Sequence, residues 1–294
     1  MAAVATRRLH VPEPFSLAIT CAPVLWSRGR WPSVEWHDGG LIWVGWEADQ
    51  VVWRGVRQDD DLPSTLIFTG TADPGADAAW ASGKLGIDEP MPPFADPILR
   101  RLAGDLAGLR PWSAGSLAEG VVTAIVGQSI SVAAAAVTEA RLAALYHPGI
   151  ELAGRRFYPF PRLDQLAGSL PATVRPSGVT WRRAEAIVTA AQAALAGQLP
   201  DRESARRDSA AARTALRALP LVGPWTTESA LLWGIAEPDA HPTGDVALLR
   251  AARLAYAIPD LTLKDLDALA DSWRPARAWA ARLLWANLLG TPAT

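Results

Sequence analysis

The chain has 294 residues, half of them hydrophobic and a fifth charged, with a formal net charge of −2 at pH 7. No apolar run has the roughly 18 residues of a membrane span, and the single cysteine excludes an internal disulfide, a cysteine-ligated zinc site and a four-cysteine iron–sulfur cluster. The first residues lack the apolar core of a signal peptide, so we expect a cytoplasmic protein. The length exceeds that of a typical single domain, so we expect two or three subdomains.

The N-terminal part of the sequence predicts an antiparallel sheet. From residue 15 to about residue 71, β-branched and aromatic residues alternate between turn signals such as HDGG at 37–40. A proline-rich segment at 88–93 marks a boundary, which places an N-terminal antiparallel α+β subdomain at residues 1–95. The predicted strands are SVEWH, LIWVGW, QVVWRGVR and STLIFTG, and the tryptophans expected to pack on one buried face are Trp36, Trp43, Trp46 and Trp53.

The remainder of the chain, residues 96–294, predicts helices. Its composition turns to Ala, Leu and Arg with helical spacing, and no strand is expected there. The fold class is therefore mainly α with an N-terminal antiparallel sheet, that is, α+β. The helices are predicted near residues 96–107, 116–127, 129–146, 162–168, 182–197, 205–218, 226–235, 246–256, 262–271 and 275–289.

The most informative stretch is a short turn between two helices at residues 216–226, LRALPLVGPWT. Backbone N–H groups at the start of the second helix, near Thr226, lack acceptors within the helix, and together with the helix dipole they suit a DNA phosphate. Such backbone donors can bind a phosphate without any lysine. This matters because a net charge near zero argues against binding of the DNA backbone mainly by basic side chains. Taken alone, such a hairpin is more often an ordinary helix–helix connection.

The hairpin and three further motifs resemble the helix-hairpin-helix DNA glycosylases of the 3-methyladenine DNA glycosylase II (AlkA) type. The family's hairpin reads L-P-G-V-G or L-P-G-I-G. The other motifs are EGVVTAIVGQSISVA at 119–133, WRRAEAI at 181–187 and WRPARAWA at 273–280, and they stand in the family's order. The resemblance implies that family's fold, in which two helical subdomains within residues 96–294 flank an active-site cleft and the hairpin spans 219–225.

The resemblance also implies what the hairpin binds. Leu221 stands where the family's first hairpin glycine normally lies, whereas Gly223 is retained. The family holds a monovalent cation, Na+ or K+, through hairpin carbonyls that match Arg217, Leu219 and Val222 here, and no other cofactor or metal is expected. The residues expected to contact DNA are Leu219, Leu221, Val222, Gly223 and Thr226.

Asp245 precedes a predicted helix, where its ordinary role is an N-cap worth about 1 kcal/mol. The resemblance gives it a catalytic role, because the family places its aspartate at this distance after the hairpin. Cleavage of an N-glycosidic bond builds positive charge on the deoxyribose, and a fixed carboxylate stabilises that charge or orients the attacking water. Purines methylated at N3 or N7 already carry positive charge, so they leave without a general acid.

The base pocket and the wedge depart from the family's pattern. Trp225 and Trp285 match pocket tryptophans, but Ser229 and Val246 stand where tyrosines are common, which predicts a wider pocket. Trp225 also occupies the position of the lysine that forms a Schiff base in strand-cleaving relatives. The family's leucine wedge follows the glutamine of the G-Q motif, whereas here the sequence continues Gln128, Ser129, Ile130. Either Ile130 or Gln128 fills the gap, or the enzyme inserts less.

The sequence therefore predicts a monofunctional DNA N-glycosylase that flips out and excises alkylated bases from double-stranded DNA in base excision repair. The expected lesions are 3-methyladenine and 7-methylguanine, with a range that could extend to N1-methyladenine and N3-methylcytosine. We expect a monomer at the bacterial nucleoid with no membrane partner. The alternatives are a non-catalytic helix-hairpin-helix DNA-binding module, in which Asp245 is only a cap, and a glycosylase for oxidised or mismatched bases.

Overall fold

The computed structural model describes residues 6–27 and 30–290, with the side chain of residue 30 outside the description. Its N-terminal part is an antiparallel sheet of six strands in the order β1-β6-β5-β4-β3-β2, flanked by short helices. The elements are β1 (Arg7–His10), α1 (Leu17–Thr20), α2 (Ala22–Leu25), β2 (Arg30–Trp31), β3 (Val34–His37), β4 (Gly40–Glu47), β5 (Gln50–Gln58), β6 (Thr65–Gly70) and α3 (Asp77–Leu85).

The four predicted strands are confirmed as β3 to β6, but the tryptophans do not share one face. Trp36 and Trp43 pack against the buried cluster that includes Leu41, Val56 and Phe68. Residues three apart in a strand point to opposite faces, so Trp46 faces away from that cluster. Its indole Nε1 donates to the carbonyl of Phe160 at 2.8 Å, which ties the sheet to the helical part of the chain.

Residues 17–25 form helices α1 and α2, although they lie in the stretch from residue 15 to about 71 whose pattern predicts a sheet. Leu17, Cys21 and Val24 are all buried, and their spacing is the i, i+4, i+7 pattern of one helical face. The hydroxyl of Ser16 caps α1 by accepting from the N–H of Ile19. The strands β1 and β2 were not predicted, because they are short and contain three arginines.

The rest of the chain is helical except for one small hairpin of strands. Its elements are α4 (Pro97–Asp105), α5 (Leu117–Gly127), α6 (Val132–Ala144), β7 (Ile150–Leu152), β8 (Arg155–Phe157), α7 (Leu163–Ala167), α8 (Pro171–Val174), α9 (Trp181–Leu195), α10 (Arg202–Arg207), α11 (Ser209–Arg217), α12 (Pro224–Ile235), α13 (Val246–Tyr256), α14 (Leu263–Asp271) and α15 (Arg277–Leu289).

Three predictions for this part are wrong in detail. The expectation that it contains no strand fails at β7–β8, where Ala153 and Gly154 adopt φ values of 51° and 72°, as a tight hairpin turn requires. The predicted helix at 205–218 is divided into α10 and α11, because Asp208 leaves the helical conformation and caps α11. The helix predicted from residue 129 begins only at Val132, after Ser129 at φ 57°.

The helices enclose a second apolar cluster, which contains buried residues from Phe94 to Ala286. In its centre, α5 and α12 touch through their backbones, since a Cβ built on Gly120 would lie 2.6 Å from the carbonyl oxygen of Ala230. The division into subdomains at residue 95 stays a prediction. Among the described helices, none alone is long and apolar enough to span a membrane, and only α5 with α6, bent by 118°, meets that test as a pair.

The packing of α5 against α6 buries a carboxyl group. Glu139 accepts a hydrogen bond from the hydroxyl of Thr123 at 2.7 Å. Burial is the main reason that the pKa of Glu139 is raised to about 8, and the nearby carboxyl of Glu119 raises it further. Glu139 therefore holds its proton at neutral pH.

Candidate active site

The hairpin between α11 and α12 presents free backbone donors. Gly223 is the N-cap of the 12-residue helix α12, and Pro224 is its first residue. The N–H of Thr227 donates to the carbonyl of Gly223 at 2.9 Å. The N–H groups of Gly223, Trp225 and Thr226 donate to none of the residues that the structure describes. The helix therefore begins with unpaired donors at the positive end of its dipole, which is a site for an anion.

Leu221 adopts the left-handed conformation at φ 60°, which explains why the family's hairpin prefers glycine at this position. That conformation costs a residue with a Cβ roughly 1–2 kcal/mol. The side chains of Leu219 and Leu221 pack against the helical core, and Val222 is buried. At Gly223 a Cβ would meet nothing within 4 Å and φ is −86°, so the protein's own packing does not require glycine there.

Gln128 joins the loop between α5 and α6 to the hairpin. Its amide Nε2 donates to the carbonyl of Leu221 at 2.8 Å and to the hydroxyl of Thr226 at 2.9 Å. The guanidinium of Arg183, on α9, donates to the carbonyl of Gln128 at 2.5 Å. The loop and the hairpin are therefore held together, and the Gln128 side chain is occupied by this contact.

The other two residues of the predicted wedge are exposed. Ser129 turns the chain with its φ of 57°, and Ile130 follows with 39% of its surface exposed. A short hydroxyl cannot fill the volume of a missing base, whereas a branched apolar side chain can. Ile130 is therefore the member of this group with the size and freedom of a wedge.

Asp245 lies beside the start of α12 and caps α13. Its Oδ1 accepts from the N–H of Leu248 at 2.7 Å, and its Oδ2 accepts from the indole Nε1 of Trp225 at 3.0 Å. The preceding Gly244 has a φ of 84°, a conformation that glycine adopts without strain. Each carboxylate oxygen can accept a further hydrogen bond, so the group keeps capacity for a water or a developing positive charge.

The remaining residues of the predicted base pocket are more scattered. Ser229 is buried on α12, and Val246 is 71% exposed at the start of α13. Trp285 is only 5% exposed, and its ring stacks on Trp233 with centroids 5.5 Å apart. The structure thus brings Trp225 and Asp245 into contact, whereas the ring contacts that it describes for Trp285 are with Trp233 and Trp26.

Sequence reasoning missed two buried polar side chains in the helical part of the chain, Arg282 and His241. Arg282 is buried with its guanidinium 4.7 Å from the ring centre of Trp233, and burial lowers the pKa of Arg282 to about 9. Nothing in its local sequence indicates a buried arginine. His241 is also buried, four residues before Asp245, and a histidine so close to a candidate catalytic residue was a usable signal.

The hairpin carbonyls that the family resemblance assigns to a monovalent cation have few hydrogen-bond partners. The carbonyl oxygens of Arg217 and Val222 accept no hydrogen bond from the described residues, and that of Leu219 accepts only a long bond of 3.4 Å from the N–H of Val222. Each of the three carbonyl oxygens therefore keeps at least one lone pair without a hydrogen bond from the described residues. Within the described ranges, no group of three His, Cys, Asp or Glu residues is placed to hold a metal ion.

The sequence matches no family model. Over 198 residues it is 33% identical to a Mycobacterium tuberculosis protein named "Probable bifunctional transcriptional activator/DNA repair enzyme AlkA", a match that covers 66% of this chain and 38% of that protein. Over 195 residues it is 31% identical to DNA-3-methyladenine glycosylase 2 of Escherichia coli, with 66% of each chain covered. The match thus spans well under half the length of the mycobacterial relative.

A solved structure shares the whole architecture. The 3-methyladenine DNA-glycosylase from Archaeoglobus fulgidus superposes with a TM-score of 0.77 at 20% identity, covering 96% of this chain and 98% of that chain. At this identity the likeness shows a shared fold. It confirms the predicted fold class, mainly α with an N-terminal antiparallel sheet.

Proposed function

We propose that this chain, which belongs to the AlkA type of the helix-hairpin-helix DNA glycosylases, is itself a DNA N-glycosylase that excises alkylated bases from duplex DNA. The observation that carries the proposal is the Asp245 carboxylate, fixed by the indole of Trp225 beside the unpaired N–H groups of α12. The N-terminus of α12 would thus bind a phosphate, and the carboxylate of Asp245 next to it would face the sugar.

The chemistry needs one carboxylate. The bond between C1′ and the base nitrogen breaks, and its electron pair leaves with the base. A water oxygen then bonds to C1′ and loses a proton, and Asp245 offsets the positive charge on the sugar or orients that water. An alkylated purine that already carries positive charge becomes neutral as it leaves, so no paired general acid is required.

The proposed enzyme leaves the abasic site intact. A strand-cleaving mechanism needs an amine that forms a Schiff base with the sugar, and Trp225 stands where the family's lyases have a lysine. The chain has two lysines, of which Lys84 points its ammonium at the carbonyl of Ala114 and Lys264 lies on α14. Neither belongs to the hairpin or to the loop of Asp245.

The hairpin is proposed to hold the phosphate backbone without lysine. The free N–H groups of Gly223, Trp225 and Thr226 would donate to phosphate oxygens. Na+ or K+ held by the carbonyls of Arg217, Leu219 and Val222 would supply positive charge next to the same phosphate. Leu219, Leu221 and Val222 shape the turn, and Ile130 is proposed to enter the gap that the flipped base leaves.

The proposed range of lesions follows from the residues at the family's pocket positions. Val246, next to Asp245, is exposed and offers no aromatic face, and Ser229 is small. A base beside Asp245 would be held mainly by the ring of Trp225, which contacts the carboxylate. We therefore expect tolerance of bulkier bases, including N1-methyladenine and N3-methylcytosine beside 3-methyladenine and 7-methylguanine. A panel of duplexes with single defined lesions tests this, and release restricted to 3-methyladenine would contradict it.

The decisive experiment compares wild type with Asp245→Asn on alkylated duplex DNA. Asparagine is as good an N-cap as aspartate, so its amide oxygen keeps the bond to the N–H of Leu248 and α13 stays capped. The substitution removes the charge near the sugar and also the bond from Trp225, because the new NH2 group cannot accept from the indole Nε1–H. Release should fall by about 100-fold or more, by analogy with removal of one electrostatic contact from an active site. DNA affinity should change little.

Asp201→Asn is the matched control. Asp201 caps α10 and accepts from the N–H of Ser204 at 2.8 Å, in the same arrangement as Asp245 with Leu248. This substitution should leave release unchanged. If wild type binds DNA but releases no base from any lesion, the chain is a DNA-binding module in which Asp245 serves only as a cap.

A further inference from the structure

The loop between α12 and α13 makes hydrogen bonds to three helices, α12, α14 and α15. The N–H of Ala278, on α15, donates to the carbonyl of Pro238 at 3.0 Å. On α12, Glu228 accepts two bonds from Arg213 and one from the backbone N–H of His241 at 3.1 Å. The third anchor is the imidazole of His241, which reaches α14. All three hold the segment just before Asp245.

His241 makes one polar side-chain contact. Its Nε2 lies 2.8 Å from Oδ1 of Asp267, and because a carboxylate only accepts, Nε2–H is the donor. Its Nδ1 is buried and has no partner among the described residues. The ring is 4% exposed, whereas Asp267 is 39% exposed at the surface of α14. Packing surrounds the ring, and the one polar contact that orients it within the described residues is the bond to this partly exposed carboxylate.

Two overlapping turns connect His241 to Asp245. The carbonyl of His241 accepts from the N–H of Thr243 at 2.8 Å, and the carbonyl of Pro242 accepts from the N–H of Asp245 at 3.1 Å. Gly244, between them, has a φ of 84°, and a Cβ there would meet nothing within 4 Å. The Asp245 carboxylate is held directly by the N–H of Leu248 and the indole of Trp225, and these two backbone bonds join the same residue to His241.

We propose that His241 and Asp267 form a positioning pair that holds the loop of Asp245 in the geometry required for base release. The proposal rests on the proposed function, since it assigns these residues to the same reaction. They touch neither the base nor the sugar, and they act through the backbone between His241 and Asp245. A displacement of the carboxylate by about 1 Å can reduce a rate by up to about 100-fold, so a loosened loop has a measurable effect.

The test uses Asp267→Ala, because Asp267 is partly exposed and its removal creates no large cavity. We expect the single-turnover rate of base release to fall about 10-fold, while the Kd for lesion-containing DNA stays within about twofold. His241→Gln keeps a donor near the position of Nε2 and should retain most of the rate, whereas His241→Leu should not.

Tyr256→Phe is the control for simple destabilisation. The hydroxyl of Tyr256 donates to Oδ2 of Asp96 at 2.9 Å and anchors the opposite end of α13. This variant also loses one bond to a carboxylate, but it should leave the rate unchanged. If Tyr256→Phe and Asp267→Ala slow the reaction equally for the same loss of Tm, the pair has only a structural role and the proposal is wrong.

A spectroscopic measurement separates this proposal from the proposed function. The Nε1–H of Trp225 donates to Asp245, so its NMR resonance reports on the carboxylate without any catalysis. Asp267→Ala should shift this resonance and speed its exchange with water, and a Trp225→Phe spectrum assigns it. An unchanged resonance overturns the positioning pair. A shifted resonance in a protein that releases no base would support the pair as a device that positions Asp245, while the glycosylase function fails.

Discussion

Replacement of Leu221 tests whether the hairpin stores backbone strain. Leu221 has a φ of 60°, and its side chain packs partly against the helical core. Leu221→Ala removes the packing and keeps the strain, and Leu221→Gly removes both. The left-handed conformation costs alanine roughly 1–2 kcal/mol, and glycine loses about 0.5–1 kcal/mol more chain entropy on folding. Leu221→Gly should therefore be more stable than Leu221→Ala by about 0.5–1 kcal/mol.

Leu219 is the matched position in the same turn. It also packs against the core, but it is not among the described residues with positive φ. Leu219→Gly should therefore be less stable than Leu219→Ala by about 0.5–1 kcal/mol, which is the opposite order from residue 221. The free energy of unfolding of all four variants is measured by urea denaturation at 25 °C. The reasoning is refuted if glycine is the less stable residue at both positions.

Three further outcomes are expected. Ile130→Ala should reduce base release from paired lesions, with little change for a lesion opposite an abasic gap, because Ile130 is the exposed apolar residue beside the hairpin; equal loss on both substrates would contradict a wedge. The pKa of Glu139 is about 8 in the folded protein against an ordinary 4.5, so unfolding releases a proton between these values and stability falls as pH rises through this range. Glu139→Gln should be the more stable protein at pH 8, by up to about 4 kcal/mol, and this gain should vanish near pH 4.5. Finally, borohydride should trap no covalent complex between wild type and abasic DNA, because no amine is placed to form a Schiff base with the sugar. The Trp225→Lys variant tests whether an amine at this position is sufficient for trapping.

Local sequence patterns located most of the longer elements, and the family resemblance named the catalytic candidate. The helix predicted at 246–256 is α13, and its start follows from the capping side chain of Asp245 and the apolar spacing after it. The strands β3 to β6 likewise follow from period-two alternation between turns. The motif around Asp245 needed only the order of residues along the chain.

The tertiary structure decided which of these residues meet. Trp225 and Asp245 are 20 residues apart and share a hydrogen bond, and Gln128 reaches the hairpin across 93 residues. Sequence left Gln128 and Ile130 open as wedges, and the contacts of Gln128 with Leu221 and Thr226 favour Ile130. Such pairings depend on how separate helices pack, which no periodicity within one element records.

The same reason explains the conformations that sequence reasoning missed. A leucine at φ 60° opposes its own local preference, and the hairpin imposes it because the turn between α11 and α12 must close. The bond between His241 and Asp267 joins a loop to α14, and neither residue's neighbours indicate the other. Local sequence therefore determined the elements and the chemistry available to this protein, whereas packing between elements determined where the carboxylate lies and what holds it there.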